Sequence, residues 1–203
     1  MIKCDIDDGV MTLTIARPDK ANSLTGDMLS DLIAALDRVA DAGIRAVILT
    51  GEGSVFSAGA DLDQARAGLA TSPLWDQLSG RISALPCLTI AALNGTLAGG
   101  AFGMVLACDL RVAVPGARFF YPVMRLGYLP QPADPGRLRD LVGPARAKMI
   151  LMAGIKASAD QALLWGLVDH IVSGDDLMAT ARDWAGDVRA ADPAHVAAIK
   201  AMI

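Results

Sequence analysis

Two short runs rich in branched residues, Ile2–Asp7 and Val10–Ile15, flank the pair Asp8-Gly9 and predict a β-hairpin at the start of the chain. Leu29, Leu32, Ile33, Leu36 and Val39 then recur at helical spacing, so a helix is expected to run to near Gly43. The uncharged run at 46–50 reads as a buried strand. A further strand at 87–93 leads through Asn94-Gly95 into a helix from about Gly99 to Ala107, and another strand spans 110–114. After Arg118 the pattern dissolves: Pro122, Pro130, Pro132 and Pro135 mark a loop-rich stretch, and helical spacing resumes near Arg137. Helices are expected at 145–152, 158–165, 177–189 and 193–203, with a short strand at 167–172; Asp192-Pro193 opens the last helix with proline at its first position. Strands and helices alternate, which predicts an α/β layered fold: a core domain over residues 1–190 and a short helical region over 191–203.

Composition narrows the partners. A chain of 203 residues, 53% hydrophobic, can bury one sizeable core. A net charge of −4 with no block of like charge gives no electrostatic footprint for nucleic acid or an anionic membrane. Cys4, Cys87 and Cys108 are odd in number and lack CxxC spacing, and the N-terminus does not read as a signal peptide, so a reducing, cytoplasmic setting is expected. The uncharged stretch 82–108 exceeds the roughly 20 residues needed to cross a bilayer. Pro86, Asn94, Gly95, Gly99 and Gly100 divide it into strand, turn and helix, which argues against a membrane span. Two separated histidines, His170 and His195, and scattered cysteines have no metal-ligand spacing, so no metal is expected.

Two loops carry candidate chemistry. Residues 51–61, GEGSVFSAGAD, follow a buried strand and have little side chain, so their backbone N–H groups can approach a ligand. Residues 94–101, NGTLAGGA, follow the next strand and open a helix whose first-turn N–H groups are unpaired and carry the positive end of the dipole. Either loop alone could be a tight turn. Together they form the recipe for an oxyanion hole, preorganised donors where a thioester carbonyl gathers negative charge.

These segments resemble a known family. Phe56-Ser-Ala-Gly-Ala-Asp-Leu62, Asn94-Gly-Thr-Leu-Ala-Gly-Gly100 and Ala107-Cys-Asp-Leu-Arg111 look like the paired signatures of the crotonase superfamily, the enoyl-CoA hydratase/isomerase family. Arg17-Pro-Asp-Lys-Ala-Asn-Ser-Leu24 is similar to its coenzyme A-contacting segment, and Ala157-Ser-Ala-Asp-Gln-Ala-Leu-Leu-Trp-Gly-Leu-Val168 to its late helix and strand. The resemblance runs in order along the chain. It implies the ClpP/crotonase fold of repeated β-β-α units with a helical C-terminal region, an acyl-CoA thioester as partner, no cofactor beyond that coenzyme A, a role in fatty acid metabolism and a homo-oligomer, a trimer or a multiple of trimers. It places the backbone N–H of Ala60 and Gly100 at the thioester oxygen, with Ala58, Asp61, Leu62 and Asp63 along the adenine and pantetheine. Lys20 and Ala21 would flank the nucleotide, Lys20 being either a phosphate partner or an ordinary solvated lysine.

The resemblance fails where the family's two catalytic glutamates belong. Those positions are Gly103 and Val123, and neither side chain can deliver hydroxide or hand over a proton, which argues against two-glutamate hydration. Related isomerases and dehalogenases place an aspartate after a Leu-Gly-x-x-Pro segment; here that segment is Leu126-Gly-Tyr-Leu-Pro130 and the next residue is Gln131. Asp134 lies three further on. It is the remaining acid/base candidate, although Asp134-Pro135 is also a turn or helix N-cap signal, and the cap is favoured. Tyr121 and Tyr128, with Gln131, are the other polar groups that could face an acyl chain, although each tyrosine also reads as a half-buried aromatic on the loop, and that reading is favoured; a phenol with an ordinary pKa of about 10 is a poor base. His170 and His195 receive no role. The chain reaches Ile203, short of the family's usual helical continuation, so a different assembly or a more open pocket is expected. Two functions follow: a lyase or isomerase working through an enolate, or an acyl-CoA-holding pseudoenzyme. A Clp-type peptidase would need a serine at the start of the helix, which instead begins Gly100-Ala101-Phe102-Gly103, and no P-loop is present.

Overall fold

Asp8 and Gly9 adopt φ of 47° and 73°, the left-handed pair that folds β1 (Ile2–Asp7) back on β2 (Val10–Ile15). The computed structural model describes residues 1–39 and 42–203. After the hairpin come α1 (Gly26–Asp37), β3 (Ala46–Gly51), β4 (Val55–Ser57), α2 (Leu62–Arg66) and α3 (Leu74–Ala84). Then follow β5 (Leu88–Leu93), β6 (Thr96–Ala98), α4 (Phe102–Leu106), β7 (Leu110–Ala113), β8 (Arg118–Phe120), α5 (Val123–Leu126) and α6 (Asp134–Leu151). The chain continues through β9 (Ala157–Ser158), α7 (Ala159–Trp165), β10 (His170–Ile171), α8 (Leu177–Trp184), α9 (Gly186–Ala190) and α10 (Pro193–Lys200).

The strands form two sheets. The larger runs β1-β2-β3-β5-β7-β10, parallel except for the hairpin; the smaller runs β4-β6-β8-β9, with β4, β6 and β8 parallel. Each β-β-α unit therefore sends its first strand to the large sheet and its second to the small one, as in β3-β4, β5-β6 and β7-β8. Both faces of the large sheet are covered, so its central strands are continuous apolar runs. Met11, Leu13, Val47, Leu49, Ala91 and Leu93 face the main core with α1, α3 and α4. Their alternates, Val10, Ala46, Ile48, Ile90, Ala92 and Val112, face α8 through Leu177 and Ala181.

Several sequence expectations change. Strands β4, β6 and β8 each have three residues, too few for a period of two to register, and the stretch after Arg118 begins with strand rather than loop. The expected helix at 99–107 is a 3-10 turn over Gly99–Ala101 followed by α4, and the helix at 177–189 divides into α8 and α9. The strand expected at 167–172 shortens to β10. Helix α6 starts at Asp134, ahead of Arg137, and breaks at Gly143 (φ 79°, ψ 163°), where Pro144 opens the second segment. The stretch of α1 expected toward Gly43 crosses residues 40 and 41, which lie outside the described residues. The uncharged stretch 82–108 is shared among the end of α3, β5, β6 and α4, and no described helix is long and apolar enough to cross a membrane. Helix α10 returns to the core: Lys200 Nζ donates to Asp109 Oδ2 and to the Cys87 carbonyl, each at 2.8 Å.

Candidate active site

The small sheet builds the site. Because β4, β6 and β8 are parallel neighbours, their C-terminal ends open on one edge, about 4.8 Å apart per strand. Ala58–Asp61 leave β4, Gly99-Gly100 leave β6 and Tyr121 leaves β8. The candidate loops thus follow the second strand of each unit, not the long first strand that hydrophobic pattern reveals.

The two glycine loops touch through backbone alone. Gly59 has φ 91°, and a Cβ there would sit 2.9 Å from the Ala98 carbonyl oxygen and 3.3 Å from the Gly100 nitrogen. Leu24 bridges the first loop, donating N–H to the Gly59 carbonyl and accepting from Asp61 N–H, both at 2.8 Å. This parallel bridge uses the groups on either side of Ala60 and turns the Ala60 N–H away from Leu24. Gly100 lies in the first turn leading into α4, where N–H groups lack intrahelical partners. Neither N–H donates to a loop carbonyl among the described residues. Over Gly100 lies the Trp75 ring, which a Cβ at residue 100 would meet at 3.2 Å; Trp75 Nε1 donates to the Leu69 carbonyl at 2.8 Å and so fixes the ring.

The segment 17–24 runs beside the first loop. Ala58 N–H donates to the Ala21 carbonyl at 3.0 Å, which brings Lys20, Ala21, Ala58 and Ala60 into one strip. Lys20 is exposed, as are Ala58, Leu62 and Asp63. Asp61 is already engaged: Oδ2 accepts from Arg17 Nη1 at 2.8 Å, and Oδ1 caps α2 by accepting from the N–H of Asp63 and Gln64. The hydrogen bond from Arg17 holds its carboxyl below the usual carboxylate range. Buried Asn22 pins the strip, accepting from Arg17 N–H at 2.8 Å and donating to the carbonyls of Glu52 and Val55 at 2.9 and 2.6 Å. It also sits at φ 54°, which asparagine tolerates better than alanine. Asn22→Ala is therefore expected to lower stability by about 3 kcal/mol, read from the midpoint of urea unfolding at unchanged m-value.

Asp134 is not the helix cap that its sequence context favours. It is the first residue of α6, its carboxylate makes no cap bond among the described residues, and only 1% of the residue is exposed. Packing turns it inward: Oδ2 accepts from the Tyr121 hydroxyl at 2.9 Å, while Oδ1 has no hydrogen-bond partner among the described residues. A Cβ built on Gly103 would lie 2.9 Å from that Oδ1. The space a side chain at 103 would enter is thus occupied by a carboxylate from α6. Burial raises the Asp134 pKa to about 6; the Tyr121 hydrogen bond and Arg137 lower it, and Asp76 raises it. Tyr121 is buried and stacked on Phe102, centroids 5.4 Å apart, and burial followed by the Asp134 charge pushes its own pKa well above the ordinary range.

Val123 is buried and apolar and offers neither an acid nor a base. Gln131 braces the loop, its Nε2 donating to the Ala70 carbonyl at 3.2 Å, whereas Tyr128 is 38% exposed. His170 and His195 are exposed and away from this edge. A groove of about 1060 Å³ lies elsewhere, at the N-terminal ends of β5 and β7, lined by Leu85, Leu88, Leu110, Val196 and Ile199. Its walls are mostly apolar, and it is separate from the loop edge. Sequence reasoning missed Trp75, Phe102 and the clamp formed by the Arg17 and Asn22 side chains. Helical spacing of Trp75, Leu78 and Ile82 could have exposed α3, but nothing local pointed its tryptophan at Gly100.

Long parallel strands in one sheet, each followed by a short strand in a second, with glycine loops meeting at the edge of the second, are the architecture of the crotonase-type fold. The chain belongs to the enoyl-CoA hydratase/isomerase family, within the crotonase superfamily: the family model matches residues 5–203. It is 34% identical over 199 residues to 4-chlorobenzoyl coenzyme A dehalogenase-1 of Arthrobacter sp, covering 93% of this chain and 72% of that one. It is 33% identical over 190 residues to 1,2-epoxyphenylacetyl-CoA isomerase of Escherichia coli (strain K12), covering 89% and 72%. The structure of an enoyl-CoA hydratase/isomerase from Pseudoalteromonas atlantica T6c superposes with a TM-score of 0.92 at 32% identity, over 99% of this chain and 81% of that one.

Proposed function

We propose that this protein is a lyase or isomerase of acyl-CoA thioesters, holding an enolate oxygen on the backbone N–H groups of Ala60 and Gly100 and using Asp134 as its single acid/base. The observation that carries this reading is the Asp134 carboxylate, buried beside Gly103 with Oδ1 unpaired. With a pKa of about 6 it is mostly ionised at neutral pH, yet basic enough to take a proton from an acyl carbon. The C–H electron pair moves toward the thioester oxygen, where the two N–H groups meet the developing charge. Asp134 then returns a proton, the one it took or one exchanged with solvent, to the same carbon or to one conjugated with it, so the cycle balances with no water added to the product. Hydration needs a second group to activate water, and Gly103 and Val123 supply none.

In this reading the strip of exposed Lys20, Ala58, Leu62 and Asp63 with half-buried Ala21 takes the coenzyme A nucleotide and pantetheine, with Asp61 holding the loop through Arg17. Gln131 and Tyr128 border the acyl side. The near-complete burial of Asp134 also suits an acyl-CoA-holding protein without turnover. A panel of 2-enoyl, 3-enoyl, β-oxo and malonyl-type thioesters, followed by calorimetry, by conversion and by deuterium exchange into the acyl chain, separates the two. The enzyme reading expects conversion or exchange that disappears in Asp134→Asn. Binding with neither would leave the holding protein.

A further inference from the structure

We infer that Tyr121 is a positioning residue that, through its hydroxyl, clamps one oxygen of Asp134 and so aims the other at the space beside Gly103. The inference rests on the reading of Asp134 as acid/base. Its geometry is a chain of restraints. The Tyr121 ring stacks on Phe102 at 5.4 Å and 20°, next to Gly103 in α4, so its hydroxyl has one direction available. That hydroxyl donates to Oδ2 at 2.9 Å and accepts a long 3.4 Å bond from the Gln131 N–H. Gln131 is tied in turn to the Ala70 carbonyl. With Oδ2 held, rotation of the carboxylate is blocked and Oδ1, which has no partner among the described residues, faces the position of a Gly103 Cβ.

The charged and titratable groups around Asp134 are few. Tyr121 faces it from the end of β8, Arg137 from the next turn of α6 and Asp76 from α3, while α4 brings only Phe102–Leu106, with nothing that titrates. The phenol keeps its proton across the working pH range, because burial disfavours its ionised form. It is therefore a permanent donor, and a donor to a carboxylate favours the ionised form. Tyr121 makes Asp134 a stronger acid than its burial alone would, and holds it in one orientation.

Tyr121→Phe keeps the ring and its stack and removes only the donor. Following the Asp134 carboxyl carbon by NMR through a pH titration of the free protein, with Asp134→Asn as the assignment control, Tyr121→Phe is expected to make Asp134 an about tenfold weaker acid. Fluorotyrosine, a stronger donor, introduced throughout a Tyr128→Phe protein so that residue 121 alone carries it, is expected to shift the titration the opposite way. The second readout is deuterium exchange at the α-carbon of octanoyl-coenzyme A: Tyr121→Phe is expected to slow kcat about tenfold at pH 7 with KM unchanged, and to move the acid limb of the profile upward with the titration. An Asp134 titration that neither replacement moves, in proteins that retain their fold, overturns the inference. A titration that moves in both directions while the wild type shows no exchange supports the clamp and instead removes the acid/base reading on which its catalytic use depends.

Discussion

Asp134→Asn is expected to yield a protein at least about 100-fold slower in thioester conversion or exchange and, near pH 7, more stable than the wild type. The two effects share one cause. Burial raises the Asp134 pKa from the ordinary 3.8 to about 6, so the folded chain holds this proton more tightly than the unfolded chain does. Between those values the folded state is protonated and the unfolded state is not. Stability contributed by the group is therefore fully present below pH 3.8 and is lost as pH rises through 6. At neutral pH an ionised Asp134 costs on the order of 2–3 kcal/mol. Asparagine removes that cost and can still accept from Tyr121, but its amide N–H groups take the unpartnered place of Oδ1, which offsets part of the gain. The net expectation is about 1–2 kcal/mol at pH 7, shrinking toward zero below pH 4, measured by urea unfolding at both pH values. A variant that is slower and less stable at pH 7 would instead identify Asp134 as a structural acid.

Gly59→Ala tests the proposed oxyanion hole, which no side-chain deletion can reach because its donors would be backbone. At φ 91° an alanine is strained, and its Cβ would press on the Ala98 carbonyl at 2.9 Å and the Gly100 nitrogen at 3.3 Å. Relief requires the two loops to separate, which moves the Ala60 and Gly100 N–H groups off a common oxygen. Losing one donor of such a pair typically costs about 10²–10³ in rate. The expected result is a fall of that size in kcat, with coenzyme A affinity, for which the strip at 17–24 is the proposed site, within a few-fold of wild type. The measurement is the exchange assay together with calorimetric titration of coenzyme A. Unchanged turnover would show that the oxygen is held elsewhere.

Much of this site is legible before folding is considered. The glycine loops announce themselves because a backbone donor site needs small residues over a contiguous stretch, and Gly59, Gly99 and Gly100 lie within such stretches. The residues at 103 and 123, glycine and valine, are equally plain, since identity at a position is a property of the sequence. Asp134 is not legible in the same way. An aspartate before a proline at the start of a helix is locally a cap, and only its contacts with Tyr121 and with the backbone side of Gly103 turn it inward. The small sheet was hidden because three-residue strands carry no periodicity; each exists through its neighbours in β4-β6-β8.

The amino-acid order by itself determined the hairpin, the long apolar strands, the glycine loops and the family, because each is written in consecutive residues whose spacing matches a local geometry. Tertiary structure decided which strand ends lie side by side, where the Trp75 ring rests and which carboxylate stands beside Gly103. Those are contacts between residues far apart in the chain, such as Gly103 and Asp134, and no local pattern encodes a distance of that kind. The chemistry proposed for this protein depends on one such contact: α4 carries no side chain at residue 103, and α6 fills the space with an acid.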